Sequence, residues 1–517
     1  MEETTISEEW KPKVNPWLMA VPLLTSAFMA VLDGTAANVA LPHMAGSFSV
    51  SKEESMWILT SYLIASGIII PSVDFFCKLF GRKNFFMICV ITFTLASFFC
   101  GLAKSIEVML LARIIQGLGG GALTPIAQTI MIEGFTPEKR GKSIALFGIV
   151  LSAAPVIGPI VGGWITDNWA WPYIFFINIP IGILSLILTK MYVEDPPYLK
   201  KQSNIKIDKW GFFYLIGWLV SFQIIMDKGN NADWFSSTWI CWTFLASIVF
   251  FILFISSQLI QKNSLCDLSI FKDRNFFFGS FLQMGMQGLL MGSMAILPTF
   301  LQGMLGYTAF LSGVAYMTRG LGCIISLFLY GMISRKINNK VAIIIGLVLI
   351  SISCWQLGSL NLQIAAVSIS IPNLIFGIGL GFAIVPIIPM TCSTLKNSQM
   401  TNASGLQNLM KNVGGAIGTS AVATAVSRLS QSHQHSLVGN LNPLNPNYAE
   451  RLHAYSSMLA GHTDATSALI MAKKIMYNQL LQQSTLFAYM DTFKIFTIVS
   501  LLIIPMLFFM KSKKINT

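Results

Sequence analysis

Stretches of about 20 consecutive, mainly apolar residues recur along almost the whole chain, and they limit its possible folds more than any other feature. A helix needs about 20 such residues to cross the hydrocarbon core of a bilayer. Of the 517 residues, 54% are hydrophobic and 11% are charged, which is more apolar surface than a water-soluble core can enclose. We therefore expect an all-α protein that crosses a membrane many times.

Fourteen apolar runs are long enough to span a bilayer, and mostly short polar loops separate them. The first run is longer than the apolar part of a signal peptide and lacks a small-residue cleavage site, so we expect it to be retained as a span. The predicted spans are 17–41, 55–76, 84–102, 108–131, 142–165, 173–192, 210–226, 239–260, 275–301, 310–334, 341–358, 364–390, 404–426 and 487–509.

The basic residues support this count and predict an orientation. With the N-terminus in the cytoplasm, 23 of the 34 Lys and Arg residues fall on the cytoplasmic side and 7 on the other. Cytoplasmic loops of membrane proteins are enriched in these residues. Both termini are therefore predicted to be cytoplasmic, and the net charge of +12 needs no nucleic-acid partner.

Two pairs of similar segments divide the chain. The loop after span 2, DFFCKLFGRK (74–83), resembles the loop after span 10, GMISRKINNK (331–340), and GPIVGG of span 5 resembles GGAIG of span 13. Such internal repeats are typical of secondary transporters. They predict an N-terminal six-helix bundle (1–192), a linker with two inserted spans (193–274) and a C-terminal six-helix bundle (275–517).

The segment 427–485 is predicted to be a long outer loop, because it is too long for a tight turn. Its NPLNPN sequence is predicted to be irregular because proline breaks helices. Apolar residues recur at helical spacing over 465–484, which predicts an amphipathic helix lying on the membrane or on a partner. Four of the five histidines fall in this segment without the spacing of a known metal site, and no metal is expected.

Asp33 and Arg113 are charged residues inside predicted spans. Asp33 lies eight residues before Leu41, roughly 12 Å from the predicted helix end, where an acid costs about 3 kcal/mol. Intramembrane acids commonly carry protons, so we predict proton coupling at Asp33, the alternatives being a permanent ion pair or a capped kink. Arg113 enters span 4 to a similar depth and is its candidate partner, the alternative being a side chain that extends to the interface.

Span 5 is rich in proline and glycine, with Pro155, Gly158, Pro159, Gly162 and Gly163 within nine residues. Proline removes helix hydrogen bonds and glycine allows a neighbouring helix to approach closely. Together they predict a kinked, closely packed contact between the two halves, the alternative being ordinary small-residue packing within one bundle.

Three of these segments carry a resemblance to a known family. VLDGTAANVALP (31–42), MLLARIIQGLGGG (109–121) and APVIGPIVGG (154–163) resemble motifs of the major facilitator superfamily, in particular its fourteen-span drug/proton antiporters of the EmrB type. The likeness continues through DWFSS (233–237), LSIFKDRNF (268–276) and NPLNPN. It implies alternating access, proton-coupled export, Asp33 as the proton-linked acid, Arg113 in the coupling network and the span 5 motif as the antiporter motif.

The loop after span 2 departs from the family pattern. The family has glycine and an acid where this chain has Asp74 and Lys78, whereas Gly81, Arg82 and Lys83 match. The cytoplasmic latch that the family forms with this loop is therefore in question. Asp74 and Lys78 are one helical turn apart and are expected to pair locally.

The charges placed inside spans bear on the substrate. Beyond Asp33 and Asp74 no acid is predicted deep in a span, whereas Arg113, Arg319 and Lys411 are basic. We hypothesise lipophilic neutral or weakly anionic substrates rather than dications. The candidate substrate-binding residues are Asn38, Trp57, Tyr62, Gln116, Arg319, Asn408 and Lys411.

Other functions remain open. The same scaffold could export a single metabolite such as a siderophore, and a polytopic membrane enzyme or a sensor is a further alternative, although no catalytic cluster is evident. No GxxxxGK[ST] phosphate loop is present, so an ion gradient is the expected energy source and no cofactor is expected. The resemblance further implies a bacterial inner-membrane location, with a periplasmic adaptor (membrane fusion protein) and an outer-membrane channel as partners docking at 427–485.

Overall fold

The computed structural model describes residues 12–195, 208–261, 265–307, 309–333, 337–361, 366–395, 399–460 and 464–511. Within these ranges the chain is helical and has no strand. Thirteen of the described helices are long and apolar enough to cross a membrane. Residues 334–336 of the second repeated loop lie outside the described residues.

The helices follow the predicted order closely, with one additional helix near the end of the chain. The first six are α1 (Pro16–Phe48), α2 (Trp57–Phe80), α3 (Arg82–Leu102), α4 (Ile106–Glu133), α5 (Pro137–Asn168) and α6 (Tyr173–Tyr192). The two inserted helices are α7 (Lys209–Lys228) and α8 (Thr238–Ile260). The remaining helices are α9 (Arg274–Gly303), α10 (Ala309–Ile333), α11 (Asn339–Leu357), α12 (Ala366–Thr391), α13 (Met400–Val438), α14 (Pro446–Ala460) and α15 (Ala465–Ile503).

Two groups of six helices form the body of the protein. Helices α1–α6 pack on one another, and α9–α13 pack with α15. Helices α7 and α8 pack mainly against each other. The fourteenth crossing is α13, which is less apolar than the other spans but packs along α9 and α15. The predicted all-α fold of two six-helix bundles with two inserted helices is confirmed.

Helix α1 is longer than predicted. The apolar run ends near Leu41, but the helix continues through small and polar residues to Phe48. It stops where Ser49 adopts a left-handed conformation (φ 54°) and its N–H caps the carbonyls of Ala45 and Gly46. Asp33 therefore lies near the middle of α1, and its predicted position 12 Å from a helix end was wrong.

The segment 427–485 is mostly helical, so its description as a long loop was wrong. Helix α13 continues to Val438, NPLNPN forms the turn into α14, and α15 begins at Ala465 and continues without a break into the last span. The predicted amphipathic helix is present as the first part of α15. Its apolar face (Ala472, Met476 and Leu480) is buried, which places it against the extended end of α13, where Gln434 Nε2 donates to Tyr477 Oη at 2.9 Å.

We call residues 427–438, 446–460 and 465–485 the helical hairpin. The side of the membrane on which it lies is the hairpin side. The opposite side, where α1 begins and α15 ends, is the terminal side. Fourteen crossings place both ends of the spanning region on that side.

The glycines of α5 pack within the first bundle. A Cβ on Gly158 would collide with the Thr35 side chain, and one on Gly162 would lie 2.9 Å from the backbone Cα and O of Ala36. The prediction that these glycines join the two halves was therefore wrong, since they face α1. The contact between halves lies on another face of α5, where Ile160 meets Gly313 of α10.

We predict that Gly162→Ala lowers the thermal unfolding midpoint of the purified protein, because the methyl group forces the α1 and α5 backbones apart at a cost of about 1–3 kcal/mol. Gly163→Ala is the matched control, since its Cβ would meet only Val39 Cγ1 at 3.8 Å. Equal midpoints for the two variants would contradict this packing.

Candidate functional site

Asp33 and Arg113 form an ion pair inside the first bundle. Arg113 Nη1 lies 2.6 Å from Asp33 Oδ2, and both side chains are fully buried. The predicted pairing is therefore present. Arg113 Nε also donates to the backbone carbonyl of Ile58 at 3.0 Å, so the guanidinium links α1, α2 and α4.

Two amides complete the hydrogen bonding of the Asp33 carboxylate. Gln116 Nε2 and Asn178 Nδ2 both donate to Asp33 Oδ1, at 3.1 Å and 2.6 Å. Gln116 also donates to Ser97 Oγ at 2.8 Å. Three donors from α4 and α6 therefore stabilise the negative charge on α1.

Aromatic rings surround the Arg113 guanidinium. Its Cζ lies 4.5 Å from the centre of the Tyr62 ring and 5.6 Å from that of Phe175. Arg113 Nη2 is buried and makes no hydrogen bond to the described residues. The charge is thus held partly by ring faces, which attract cations.

Sequence reasoning missed Asn178 and Ser97 as members of this site. Both are polar residues inside predicted apolar spans, and both are fully buried. That pattern was available as a signal, because buried polar groups in a membrane require partners.

A second buried ion pair lies on the terminal side. Arg82 Nη1 contacts Glu133 Oε2 at 2.7 Å, with side chains 3% and 4% exposed. Glu133 is thus a buried acid that sequence reasoning did not name. Glu133 was missed because it is the last residue of α4, just beyond the predicted span end at 131.

The loop between α2 and α3 has a specific geometry. Gly81 has φ 84°, a left-handed conformation that favours glycine, and it turns Arg82 into its buried pair. Lys83 Nζ donates to the carbonyl of Lys190 at 2.8 Å. Asp74 and Lys78 pair locally at 2.6 Å, as predicted, with Lys78 about half exposed.

The two halves touch on the terminal side. Arg82 Nη2 donates to Thr401 Oγ1 of α13 at 3.1 Å, and Ser404 Oγ donates to the Pro125 carbonyl of α4 at 3.2 Å. Residues 401–409 are all buried, whereas α13 is partly exposed from Met410 onwards. The structure is therefore closed on the terminal side.

The connector between α7 and α8 contacts both halves on the hairpin side. Thr60 of α2 donates to Asp227 at the end of α7. Trp234 Nε1 donates to Thr424 Oγ1 of α13 at 3.1 Å, and Arg428 of α13 pairs with Asp233 at 2.9 Å. Asp227 is a second acid that sequence reasoning missed, because the predicted span ended at 226.

The candidate substrate residues do not form one cluster. Tyr62 and Gln116 belong to the Asp33 site, and the Trp57 ring lies 5.5 Å from Lys228 Nζ. Asn408 is buried and donates to the carbonyl of Ser404 in its own helix. Asn38 is exposed and Lys411 is partly buried, and Arg319 lies in the second bundle.

Arg319 is 2% exposed and has neutral partners. Its Nε and Nη2 donate to Asn373 Oδ1 at 3.2 Å and 2.8 Å. Its Nη1 donates to Ser293 Oγ at 2.8 Å and to Tyr316 Oη at 3.0 Å. The Phe376 ring centre lies 4.0 Å from its Cζ.

Comparisons with known proteins agree on one family. A model described as the Major Facilitator Superfamily matches residues 23–419. The multidrug export protein EmrB of Haemophilus influenzae is 31% identical over 462 residues, which are 89% of each chain. The fatty acid resistance protein FarB of Neisseria gonorrhoeae is 29% identical over 490 residues, 94% of each chain. The solved structure of the proton:xylose symporter XylE has the same fold, with a TM-score of 0.62 at 13% identity over 97% of both chains.

We predict that Glu133→Gln lowers the thermal unfolding midpoint strongly, because removing one charge of a buried pair costs about 3–5 kcal/mol. Asp74→Asn removes an acid from the local pair with half-exposed Lys78 and should cost only about 0.2–0.5 kcal/mol. If the two variants unfold at the same temperature, the buried Arg82–Glu133 ion pair does not stabilise the protein more than the Asp74–Lys78 pair does.

Proposed function

The chain belongs to the major facilitator superfamily, and we propose that it is a proton-coupled exporter of lipophilic drugs or toxic compounds that works by alternating access. The names of EmrB and FarB, for multidrug export and fatty acid resistance, support lipophilic substrates. Membership of a transporter family supports transport rather than catalysis. The single observation that carries the proton coupling is the fully buried pair of Asp33 and Arg113.

Proton coupling would operate through the hydrogen bonds of Asp33. In the ionised state the carboxylate accepts from Arg113, Gln116 and Asn178. A proton delivered from the hairpin side would neutralise Asp33 and loosen α1 from α4 and α6. Release of the proton towards the terminal side would restore the bonds. The cycle therefore links proton movement to helix movement.

Alternating access would use the contact between the halves on the terminal side. Separating α13 from α2 and α4 breaks the bonds of Thr401 to Arg82 and of Ser404 to Pro125. The substrate would then enter between the bundles, where Asn38, Trp57, Asn408 and Lys411 remain our candidate contacts. We propose that residues 1–192 and 275–517 move as two units, with 193–274 linking them.

We propose that the terminal side faces the cytoplasm of a bacterium and the hairpin side faces the periplasm. The basic loops support this orientation because cytoplasmic loops are rich in Lys and Arg. The helical hairpin would then project into the periplasm and dock an adaptor that leads to an outer-membrane channel. Exposed apolar side chains on the hairpin and its turn support docking, since Leu444 is 88% exposed and Met458 is 76% exposed.

Asp33→Asn tests the proton coupling. We expect proteoliposomes with this variant to lose pH-driven substrate accumulation. A pH gradient supplies about 1.4 kcal/mol for each pH unit and each coupled proton, and this energy reaches the substrate only if a group on the protein binds the proton. Substrate counterflow, which needs no net proton movement, should persist and shows that the variant is folded. Asp74→Asn is the matched control and should keep its pH dependence.

If the Asp33→Asn proteoliposomes show pH-driven accumulation at the wild-type level, Asp33 is not the proton-coupling site. Loss of both accumulation and counterflow, with an unchanged thermal midpoint, would make Asp33 a substrate contact and contradict its assignment as a proton site.

The double variant Leu444→Ser and Met458→Ser tests the docking proposal. We expect it to weaken capture of the adaptor in detergent by at least about tenfold, because each exposed apolar side chain buried at an interface contributes about 1–2 kcal/mol. Counterflow of the isolated chain should not change. Leu502→Ser and Phe508→Ser, which replace side chains 69% and 71% exposed on the spanning part, form the control pair. Equal adaptor capture by all three proteins would reject the hairpin as the docking site.

A further inference from the structure

The two bundles differ in the charge at their centres. In the first bundle Arg113 contacts the carboxylate of Asp33. In the second bundle Arg319 contacts an amide, two hydroxyls and two aromatic rings, and it forms no ion pair with the described residues. The second bundle therefore carries a buried positive charge that its described neighbours do not neutralise.

Such a charge is costly inside a membrane protein. Hydrogen bonds from neutral groups and ring faces recover part of the lost hydration, but the guanidinium keeps its positive charge. Intramembrane arginines usually pair with an acid or mark a ligand pathway. The hydrogen-bond partners of Arg319 described above include no acid, which favours the ligand pathway.

One acceptor of Arg319 lies where an oxygen of a carboxylate ligand would lie. Asn373 Oδ1 accepts from both Nε and Nη2, which is one edge of the guanidinium fork that binds carboxylates. Asn373 Nδ2 donates to the carbonyl of Ile369 at 2.9 Å. The amide oxygen thus occupies the place of a carboxylate oxygen, and the side chain can give up this place by rotation.

We propose that Arg319, with Ser293 and Tyr316, binds the carboxylate of a lipophilic organic anion when Asn373 turns away. The rings of Phe376 and Tyr316, 4.0 Å and 4.7 Å from the Arg319 Cζ, provide apolar surface for the body of the ligand. This inference rests on the proposed function and names a substrate class for it.

The proposal determines the charge balance of transport. Exporting a monoanion moves one negative charge outward, and each coupled proton moves one positive charge inward, so both contribute current of the same sign. A neutral substrate contributes only the proton current. Each additional charge is driven by about 2.3 kcal/mol per 100 mV of membrane potential.

The test uses decanoate and its neutral amide, decanamide, as matched probes. Both are offered to the full-length purified chain, and binding is measured for the wild type, Arg319→Gln and Asn373→Asp. Asn373→Asp keeps Arg319 but supplies an internal carboxylate of nearly the same shape, so it neutralises the site without removing the guanidinium. Arg451→Gln removes a positive charge from the exposed helix α14 and is the control.

We expect the wild type and Arg451→Gln to bind decanoate at least about tenfold more tightly than decanamide, which corresponds to about 1.4 kcal/mol. Arg319→Gln and Asn373→Asp should bind the two probes equally, with decanamide affinity unchanged. If Asn373→Asp or Arg319→Gln folds and keeps the tenfold preference, the proposal is overturned. A wild type without the preference overturns it equally.

Transport separates this proposal from the general function. In proteoliposomes the wild type should export decanoate with a larger current per molecule than decanamide. Proton-driven export of decanamide without decanoate preference would reject the Arg319 site and leave the exporter intact. Absence of proton-driven transport for both probes, together with preferential decanoate binding, would reject the exporter and retain the site.

Discussion

The contact between Arg113 and Asp33 is the interaction on which the first bundle is organised. Neither side chain is exposed, and Arg113 Nη1 lies 2.6 Å from Asp33 Oδ2. Removing either partner would leave a charge without compensation in a region with no water to hydrate it, at a cost of several kcal/mol. The surrounding helices meet this requirement with donors from α4 and α6 and with the ring of Tyr62. Under the proposed function, the same requirement would link a single proton to the relative positions of several helices.

The close packing of α1 and α5 lies between the Asp33 site and the other half of the protein. Gly158 and Gly162 bring α5 against α1 near Asp33, and another face of α5 packs on α10 of the second bundle. Under the proposed function, a shift of α1 would therefore act on the interface between the bundles. On the terminal side the bond from Arg82 to Thr401 closes that interface, and on the hairpin side the α7–α8 connector joins α2 to α13. The inserted helices thus contact both halves on the hairpin side.

Much of the fold and part of the site could be predicted from the sequence. Apolar runs predicted the spans, because a helix that crosses the bilayer must be mainly apolar. Asp33 and Arg113 were recognisable as candidate site residues because they are charged residues inside such runs. Glu133 and Asp227 were missed because they lie just beyond the predicted ends of apolar runs, and depth in the folded protein depends on neighbours distant in sequence. The helical hairpin was described as a loop because its helices are polar and its packing between α13 and α15 is tertiary. The neutral environment of Arg319 could not be predicted, because it is formed by α9, α10 and α12 together.

Proton release on substrate binding tests the central claim most directly. The purified chain in weakly buffered detergent is mixed with a saturating substrate, and released protons are measured with a pH indicator. At a starting pH low enough to protonate Asp33, the account predicts that the wild type releases protons in a fixed ratio to bound substrate, and that Asp33→Asn binds substrate but releases none. Equal proton release from the two proteins would contradict the claim that Asp33 is the group through which protons drive transport.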